Sequence, residues 1–391
     1  MDRDVSARSV NLQDSAIRRM SALCAQAGGV NLAQGFPDFP CPPELKDAAA
    51  RALYDDHNQY APTAGVPALR LKIAERYNAR DPRWRVDPEE GICVTCGGTE
   101  AVFAAMAAVL DPGDEVIVPE PFYESYAPVA RILGASVRFA PLRRADWGID
   151  MQALADAFTP ATRLLVLNSP HNPTGAVLSA AELDRVARLV AERGAFILSD
   201  EMYDRILFEG EVAPPGVHDA VRERTITVGG ISKTYSVTGW RIGWTIAAPR
   251  LTTAIRRLHD LITCGAPAPL QHAAVTGLGL ADEYHRGLAS RYRQARDRLC
   301  AALEQAGFDF VRPAGGFFVM ADFSAVAPRL DAAAFTEQLL AKHGIAAVPG
   351  PYFFADPARG ESLARFAFCK SEPTIDEAVE RLAGLARGGL G

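Results

Sequence analysis

Short apolar runs alternate with longer segments of helical periodicity over the first two thirds of the chain. The apolar runs occupy 91–95, 115–119, 163–168, 195–199 and 225–228. The run at 163–168 is apolar without alternation, which is typical of strands that are buried on both faces of a parallel sheet. Because segments with helical periodicity follow several of these runs, the pattern predicts an α/β fold with a mostly parallel sheet flanked by helices.

The pattern changes after Trp244. One long helical region is predicted from Leu251 to Gly307, interrupted only at 264–269, and the tail mixes short strands with helices at 331–342 and 374–387. We therefore predict a large cofactor-binding domain over 44–285 and a smaller α+β domain over 286–391. Residues 1–43 are expected to form an N-terminal arm and part of the small domain.

Composition narrows the class of partner. The chain has 391 residues, a formal net charge of -6 and a pI near 5.7, whereas nucleic acids and anionic membranes select basic surfaces. We find no apolar stretch of signal-peptide or bilayer-spanning length, so we expect a cytoplasmic protein that acts on small molecules. The close cysteine pair, Cys93 and Cys96, supplies only half of a zinc site, and no metal is predicted.

Polar and glycine residues follow the ends of four predicted strands. In open α/β sheets, ligands bind beyond the carboxyl ends of the strands, and glycines before a helix suit an anion because the first helical N–H groups are unpaired. The residues concerned are Gly98, Thr99, Asn172, Asp200, Tyr203 and Lys233.

A carboxylate, a lysine, a phosphate cradle and an aromatic ring together suit pyridoxal 5'-phosphate, which forms a Schiff base with a lysine. Lys233 alone would be an ordinary surface lysine, so the interpretation depends on the other segments. A nucleotide phosphate loop is excluded because Ser232, not glycine, precedes the lysine. A nicotinamide enzyme would need a glycine-rich fingerprint after a strand, and a metalloenzyme would need clustered histidines.

An ordered set of segments also resembles a known family. The segments are NLAQGFPDFP, QYAPTAGVPALR, GGTEAVF, PFYESY, NSPHNPTG, SDEMYD, SKTYSVTGWRIGW and RFAFCK. From about Asn31 to Lys370 the chain resembles the class I/II aminotransferases of fold type I, close to the branch of methionine, glutamine and kynurenine transaminases. The resemblance implies a large domain with a mostly parallel sheet and a smaller α+β domain.

The resemblance also implies catalytic roles. Lys233 would form the aldimine with the cofactor and then carry the proton of the substrate Cα. Asp200 would pair with the protonated pyridine nitrogen, and Asn172 and Tyr203 would donate hydrogen bonds to the ring oxygen. Arg365 would bind the substrate α-carboxylate beside Asn172, with Gly35 closing over it.

The cofactor-binding set is completed by further residues that match the family pattern. The backbone of Gly98 and Thr99, the Ser232 hydroxyl and the Arg241 guanidinium would bind the phosphate. Tyr123, or its neighbour Phe122, would stack on the ring. Tyr60 would reach the phosphate from the second subunit of a homodimer.

Two departures from the family pattern bear on specificity. Gly230 stands where many relatives have a serine, so one phosphate hydroxyl is expected to be missing. Thr99 stands where aspartate-preferring bacterial relatives often have a lysine, which argues against aspartate as the preferred amino donor.

The leading hypothesis is an aminotransferase that moves the amino group of a neutral or aromatic L-amino acid, such as methionine, glutamine or phenylalanine, to a 2-oxo acid. The alternatives keep the cofactor: a C–S β-lyase, or a cyclase or oxidase of specialised metabolism. The effector domain of a transcription factor is a third class, but no helix-turn-helix segment precedes residue 31.

Overall fold

The predicted alternation of strands and helices is present in the computed structural model, which describes residue 6 and residues 14–389. The strands are β1 (Val30–Asn31), β2 (Ile92–Thr95), β3 (Glu115–Glu120), β4 (Ser136–Pro141), β5 (Thr162–Asn168), β6 (Phe196–Asp200), β7 (Thr225–Gly230), β8 (Gly243–Ile246), β9 (Asp309–Phe310), β10 (Phe318–Asp322), β11 (Ile345–Ala346), β12 (Val348–Pro349) and β13 (Leu363–Ala367). The helices are α1 (Ala16–Ala27), α2 (Pro43–Tyr54), α3 (Pro67–Arg80), α4 (Gly97–Ala107), α5 (Tyr126–Ile132), α6 (Met151–Ala157), α7 (Ala180–Arg193), α8 (Pro249–Thr263), α9 (Ala268–Leu278), α10 (Asp282–Gln305), α11 (Ala332–His343) and α12 (Glu372–Gly388).

A seven-stranded sheet with the order β2-β8-β7-β6-β5-β3-β4 forms the centre of the molecule. The neighbouring pairs from β7 to β4 are parallel, whereas β8 runs antiparallel to both β2 and β7. The fold is therefore α/β with a mostly parallel sheet, as predicted. Because β5, β6 and β7 are adjacent and parallel, the segments that follow them start at the same edge of the sheet.

Local sequence signals set both bounds of α7. Ser179 and Glu182 form a reciprocal capping box at the start, and Gly194 ends the helix with a left-handed φ of 68°. Leu183, Val186 and Val190 recur at helical spacing and are buried against the large sheet.

Other bounds differ from the prediction. The single long helical region from 251 to 307 consists of α8, α9 and α10, with a second interruption at 279–281 that the sequence pattern did not indicate. Strand β4 was also missed. It is an edge strand with alternating exposure, and Arg138 lies within it, so it lacks the continuous apolar run of its neighbours.

Two smaller sheets involve the C-terminal part of the chain. The antiparallel sheet β12-β13-β10-β9 carries Arg365 on β13, where Arg365 pairs with Met320 and Val348. Strand β1 pairs in parallel with β11, which joins residues 30–31 to residues 345–346. The domain bounds proposed above stay a prediction, and within the N-terminal arm, residues 1–5 and 7–13 lie outside the described residues.

Within residue 6 and residues 14–389, no helix combines the length and the apolar character that a membrane span requires. The cytoplasmic location stays a prediction.

Candidate active site

A cavity of about 230 Å³ opens where the ends of the central strands meet the N-terminal segment and the small antiparallel sheet. It brings together residues that are far apart in the sequence. The predicted site residues that line it are Gly35, Gly98, Thr99, Tyr123, Asn172, Asp200, Tyr203, Ser232, Lys233, Arg241 and Arg365.

Lys233 lies just after β7, and its Nζ donates a hydrogen bond to the backbone oxygen of Gly35 at 3.0 Å. Burial lowers the pKa of Lys233 to about 8, and the positive charges of Arg241 and Arg365 act in the same direction. About a tenth of the amine is therefore uncharged at pH 7, far more than for an ordinary lysine, and the uncharged amine is the nucleophilic form.

Asp200, the last residue of β6, is buried at the base of the cavity. Its Oδ2 accepts a hydrogen bond from the Tyr126 hydroxyl at 2.8 Å, and its Oδ1 accepts one from the Met202 backbone at 3.1 Å. Burial raises the pKa of Asp200, whereas these hydrogen bonds and the charge of Lys233 oppose the rise. A cation placed beside this carboxylate would stabilise its ionised form.

Arg365 is only 1% exposed, which is rare for an arginine. Its Nη1 donates to Asn172 Oδ1 at 3.0 Å and its Nη2 donates to the Ala33 oxygen at 2.7 Å. The Nε proton has no partner among the described residues. Because a guanidinium has five N–H donors, donors remain available for an anion in the cavity.

The Asn172 amide is oriented by the same contact. Since Oδ1 accepts the hydrogen bond from Arg365, its NH₂ group is left to donate. The Asn172 backbone donates to Asn168 Oδ1 at 2.8 Å, which fixes the loop that follows β5.

A second anion site lies at the start of α4. Gly97 has a φ of +81°, and a Cβ there would lie 2.5 Å from Arg241 Nη2, so only glycine lets the guanidinium approach. Arg241 itself has a left-handed φ of 56° and donates to the Thr238 oxygen at 2.9 Å. The buried Ser232 hydroxyl has no partner among the described residues. A helix N-terminus, a guanidinium and a free hydroxyl together suit a phosphate.

Known proteins share both the sequence and the fold. The profile of the family described as aminotransferase class I and II matches residues 27–382. The chain belongs to this family. The methionine aminotransferase of Escherichia coli is 38% identical over 94% of this chain and 95% of its own length. The N-succinyldiaminopimelate aminotransferase structure from Mycobacterium tuberculosis is 37% identical, with a TM-score of 0.92 over 97% of this chain and 100% of the other.

A third comparison is with the aspartate aminotransferase of Thermus thermophilus, solved with maleate. It is 35% identical, with a TM-score of 0.90 over 98% of this chain and 100% of the other. The chain is thus an aminotransferase of fold type I, and the cofactor of this family is pyridoxal phosphate.

The cavity of the aminotransferase fits this cofactor by the chemistry of its donors. The unpartnered Ser232 hydroxyl and the Gly97–Arg241 contact suit the phosphate, and the buried carboxylate of Asp200 suits a ring nitrogen that carries a proton. Lys233 lies in the same cavity as both groups.

Packing explains why Gly230 departs from the family pattern. A Cβ at this position would lie 2.9 Å from Met202 Cε and 3.1 Å from the Ile242 oxygen. A serine would need these neighbours to shift, so Met202 occupies the space where the expected hydroxyl is missing.

The aromatic positions are also distinguished by the structure. Tyr123 lines the cavity, whereas Phe122 is buried and stacks on Phe139 with 5.1 Å between ring centroids. Tyr203 is buried and forms edge contacts with Phe317 at 5.0 Å. Tyr60 is 85% exposed and is not among the described residues that line the cavity of its own chain.

Sequence reasoning missed several residues that line the cavity: Ser15, Arg18, Gln34, Glu124, Tyr126, Met202 and Phe318. Tyr126 carried a weak signal, because it follows Tyr123 by three residues and a buried tyrosine hydroxyl usually needs a partner. The other residues carried no signal that pointed to this cavity.

The depressed pKa of Lys233 is open to a direct test. In the cofactor-free aminotransferase, modification of Lys233 by trace acetic anhydride should rise with a midpoint near pH 8, because only the uncharged amine reacts. Mass spectrometry after digestion measures the modified fraction of each lysine. Lys46, which is exposed on α2, is the internal control for the reactivity of the anhydride in the same sample. Bound pyridoxal phosphate should protect Lys233. Profiles that coincide for the two lysines would contradict the assignment.

The contact between Tyr126 and Asp200 predicts a cofactor-affinity effect. A Tyr126→Phe variant should bind pyridoxal phosphate about 10- to 150-fold more weakly, since a hydrogen bond to a charged group contributes about 1.5–3 kcal/mol. Fluorescence titration of the cofactor-free protein measures the dissociation constant. Tyr292→Phe is the matched control, because the buried Tyr292 hydroxyl has no partner among the described residues. Equal affinities in the two variants would show that the contact is unimportant.

Proposed function

We propose that this aminotransferase moves the amino group of a neutral or aromatic L-amino acid to a 2-oxo acid, with Lys233 as covalent anchor of the cofactor and as proton carrier. The observation that carries the proposal is the convergence of Lys233, Asp200 and Arg365 on one cavity. These three groups supply an amine, a carboxylate for the ring nitrogen and a cation for the substrate carboxylate.

When it is bound, pyridoxal phosphate supplies an electron sink for the electrons released at the substrate Cα. Arg365 binds the α-carboxylate through its remaining N–H donors and so orients the Cα–H bond. Lys233, whose pKa is about 8, would accept the Cα proton at Nζ and would then donate it to C4′ of the cofactor, because a proton returned to Cα would give no net transfer of the amino group. Asp200 keeps the ring nitrogen protonated.

The remaining site residues position these groups. Asn172 and Tyr203 would donate hydrogen bonds to the ring oxygen of the cofactor, and Tyr123 would stack on its ring. The backbone of Gly98 and Thr99 and the side chains of Ser232 and Arg241 would bind its phosphate. Gly35, whose oxygen accepts a hydrogen bond from Lys233, closes over the substrate beside Arg365.

The proposed substrate class has two supports. The relatives are named for different substrates, so the preference must come from the residues of this chain. Apolar side chains of Ile17, Val102 and Phe318 line the cavity, which favours a neutral side chain. Thr99 offers no cation for the second carboxylate of aspartate.

We also propose a homodimer with shared sites. The side chain of Tyr60 is 85% exposed, and that of Leu261, near the end of α8, is 86% exposed. The two segments are joined by a hydrogen bond that Thr63 Oγ1 donates to Asp260 at 2.9 Å, so both side chains belong to one exposed patch. A second copy that covers this patch would bring its Tyr60 to the phosphate site of the first.

The substrate carboxylate site is tested with half-reactions. The visible absorption of the bound cofactor should change when a neutral amino acid such as methionine is added to the wild type. Arg365→Ala should raise the KM for this amino acid about a hundredfold or more, since the buried pair of guanidinium and substrate carboxylate is lost. Arg365→Lys should restore part of the loss. Methioninamide, which lacks the carboxylate, is the control: its reaction should be slow with every form.

The outcome separates the candidate reactions. An unchanged KM in Arg365→Ala would mean that another group binds the carboxylate. Release of pyruvate and ammonia from a cysteine conjugate, without conversion by methionine, would favour β-elimination.

The shared site is tested by mixing inactive subunits. Lys233→Ala and Tyr60→Ala variants should each have little activity, whereas an equal mixture after subunit exchange should recover about a quarter of wild-type activity, because half of the dimers are hybrids and each hybrid has one intact site. The activity of the mixture is compared with that of the unmixed variants. No recovery in a mixture that mass spectrometry shows to contain hybrids would contradict the arrangement.

A further inference from the structure

Glu124 lies in the turn between β3 and α5, and its carboxylate lines the same cavity as Lys233 and Arg365. The side chain is half-buried. None of the roles assigned above uses it, yet a charge in this position acts on any substrate that the cavity holds.

The hydrogen bonding of Glu124 leaves acceptor capacity unused. Both carboxylate oxygens face the Ser15 hydroxyl, at 2.9 and 3.1 Å. One hydroxyl has one proton, whereas a carboxylate accepts about four hydrogen bonds. Among the described residues, no lysine, arginine or histidine forms an ion pair with Glu124. A negative charge with free acceptors therefore faces the cavity.

The charge of Glu124 reaches the proposed carboxylate site. Burial lowers the pKa of Arg365 to about 10, and the negative charge of Glu124 is among the groups that oppose this effect. Glu124 thus lies close enough to Arg365 for an electrostatic influence within the partly enclosed cavity.

Arg18 is the competing charge. It lies on α1 at the mouth of the same cavity, and its side chain is exposed. Solvent and salt screen an exposed charge more than a half-buried one. Between the two, the field of Glu124 therefore dominates inside the cavity, and the field of Arg18 acts mainly outside.

We propose that Glu124 is a specificity-determining residue: it disfavours ligands with an anionic side chain and favours neutral side chains that donate hydrogen bonds, such as amides. The inference rests on the proposed function, in which Arg365 binds the substrate α-carboxylate. It goes further by naming a carboxylate of the same cavity that discriminates among substrate side chains.

The test compares two ligands of the same shape. Glutarate carries two carboxylates, whereas glutaramate carries one carboxylate and one amide. Calorimetric titration of the holoenzyme at pH 7.5 should show glutaramate bound about tenfold more tightly, because a like charge at low effective dielectric weakens the binding of glutarate. Glu124→Gln keeps the shape and an acceptor for Ser15, and it should reduce the ratio to about one.

Three control variants sharpen the comparison. Glu124→Asp keeps the charge and should retain a preference for glutaramate. Glu192→Gln removes an exposed carboxylate of α7 outside the cavity and should leave the wild-type ratio. Arg18→Gln should leave or increase the preference for glutaramate. Bound cofactor, measured by absorption, shows that each variant is folded.

The outcomes distinguish this inference from the proposed function. Tighter or equal binding of glutarate by the wild type, or an unchanged ratio in Glu124→Gln, would overturn the role of Glu124. Failure of both ligands to bind would overturn it together with the carboxylate site at Arg365. If the affinities for glutaramate and glutarate show the expected ratios but the half-reactions show no amino-group transfer, the role of Glu124 is supported and only the proposed reaction is contradicted.

Discussion

The arrangement of the cavity depends on the hydrogen bonds of the buried Arg365 guanidinium. A charged group that is 1% exposed is costly unless it is hydrogen-bonded, and its two bonds go to Asn172 after β5 and to Ala33 in the N-terminal segment. Arg365 itself belongs to β13. One side chain thus joins the large sheet, the small sheet and the N-terminal segment. The hydrogen bonds that the buried guanidinium needs hold these three walls of the cavity in place.

The cations of the cavity are not fully paired with its own carboxylates and have hydrogen-bond donors left for an anionic ligand. Lys233, Arg241 and Arg365 contribute cations, and Asp200 and Glu124 contribute carboxylates. The two kinds of charge are kept apart by their hydrogen bonds: Asp200 is held by Tyr126 and Met202, and Arg241 is held by backbone oxygens. A phosphate and a carboxylate would neutralise the cations that have donors left, which is what a cofactor with an amino acid substrate provides.

A site residue could be predicted from the sequence where its position relative to a strand places it in the cavity, and not where side-chain packing does. Asp200 is the last residue of β6 and Lys233 follows the end of the adjacent parallel strand β7, so the apolar periodicity alone located them at one edge of the sheet. Tyr126, Met202 and Glu124 reach the cavity through side-chain packing that no local pattern encodes. Residues that are distant in sequence, such as Arg365, depended on the family resemblance for their assignment. The reversed direction of β8 likewise had no local signal, because an apolar strand has the same pattern in either direction.

The carboxylates around Asp200 show how the chain isolates one charge for the site. Successive residues at a strand end point to opposite faces, so Asp200 faces Tyr126 while Glu201 faces away and accepts from Ser199 at 2.9 Å. Asp204 forms a buried ion pair with Arg76 at 2.8 Å, and burial raises the pKa of Glu201 to about 7. Asp204 is therefore compensated by Arg76, and Glu201 is partly protonated near neutral pH, so Asp200 is the carboxylate of this strand end that lines the cavity.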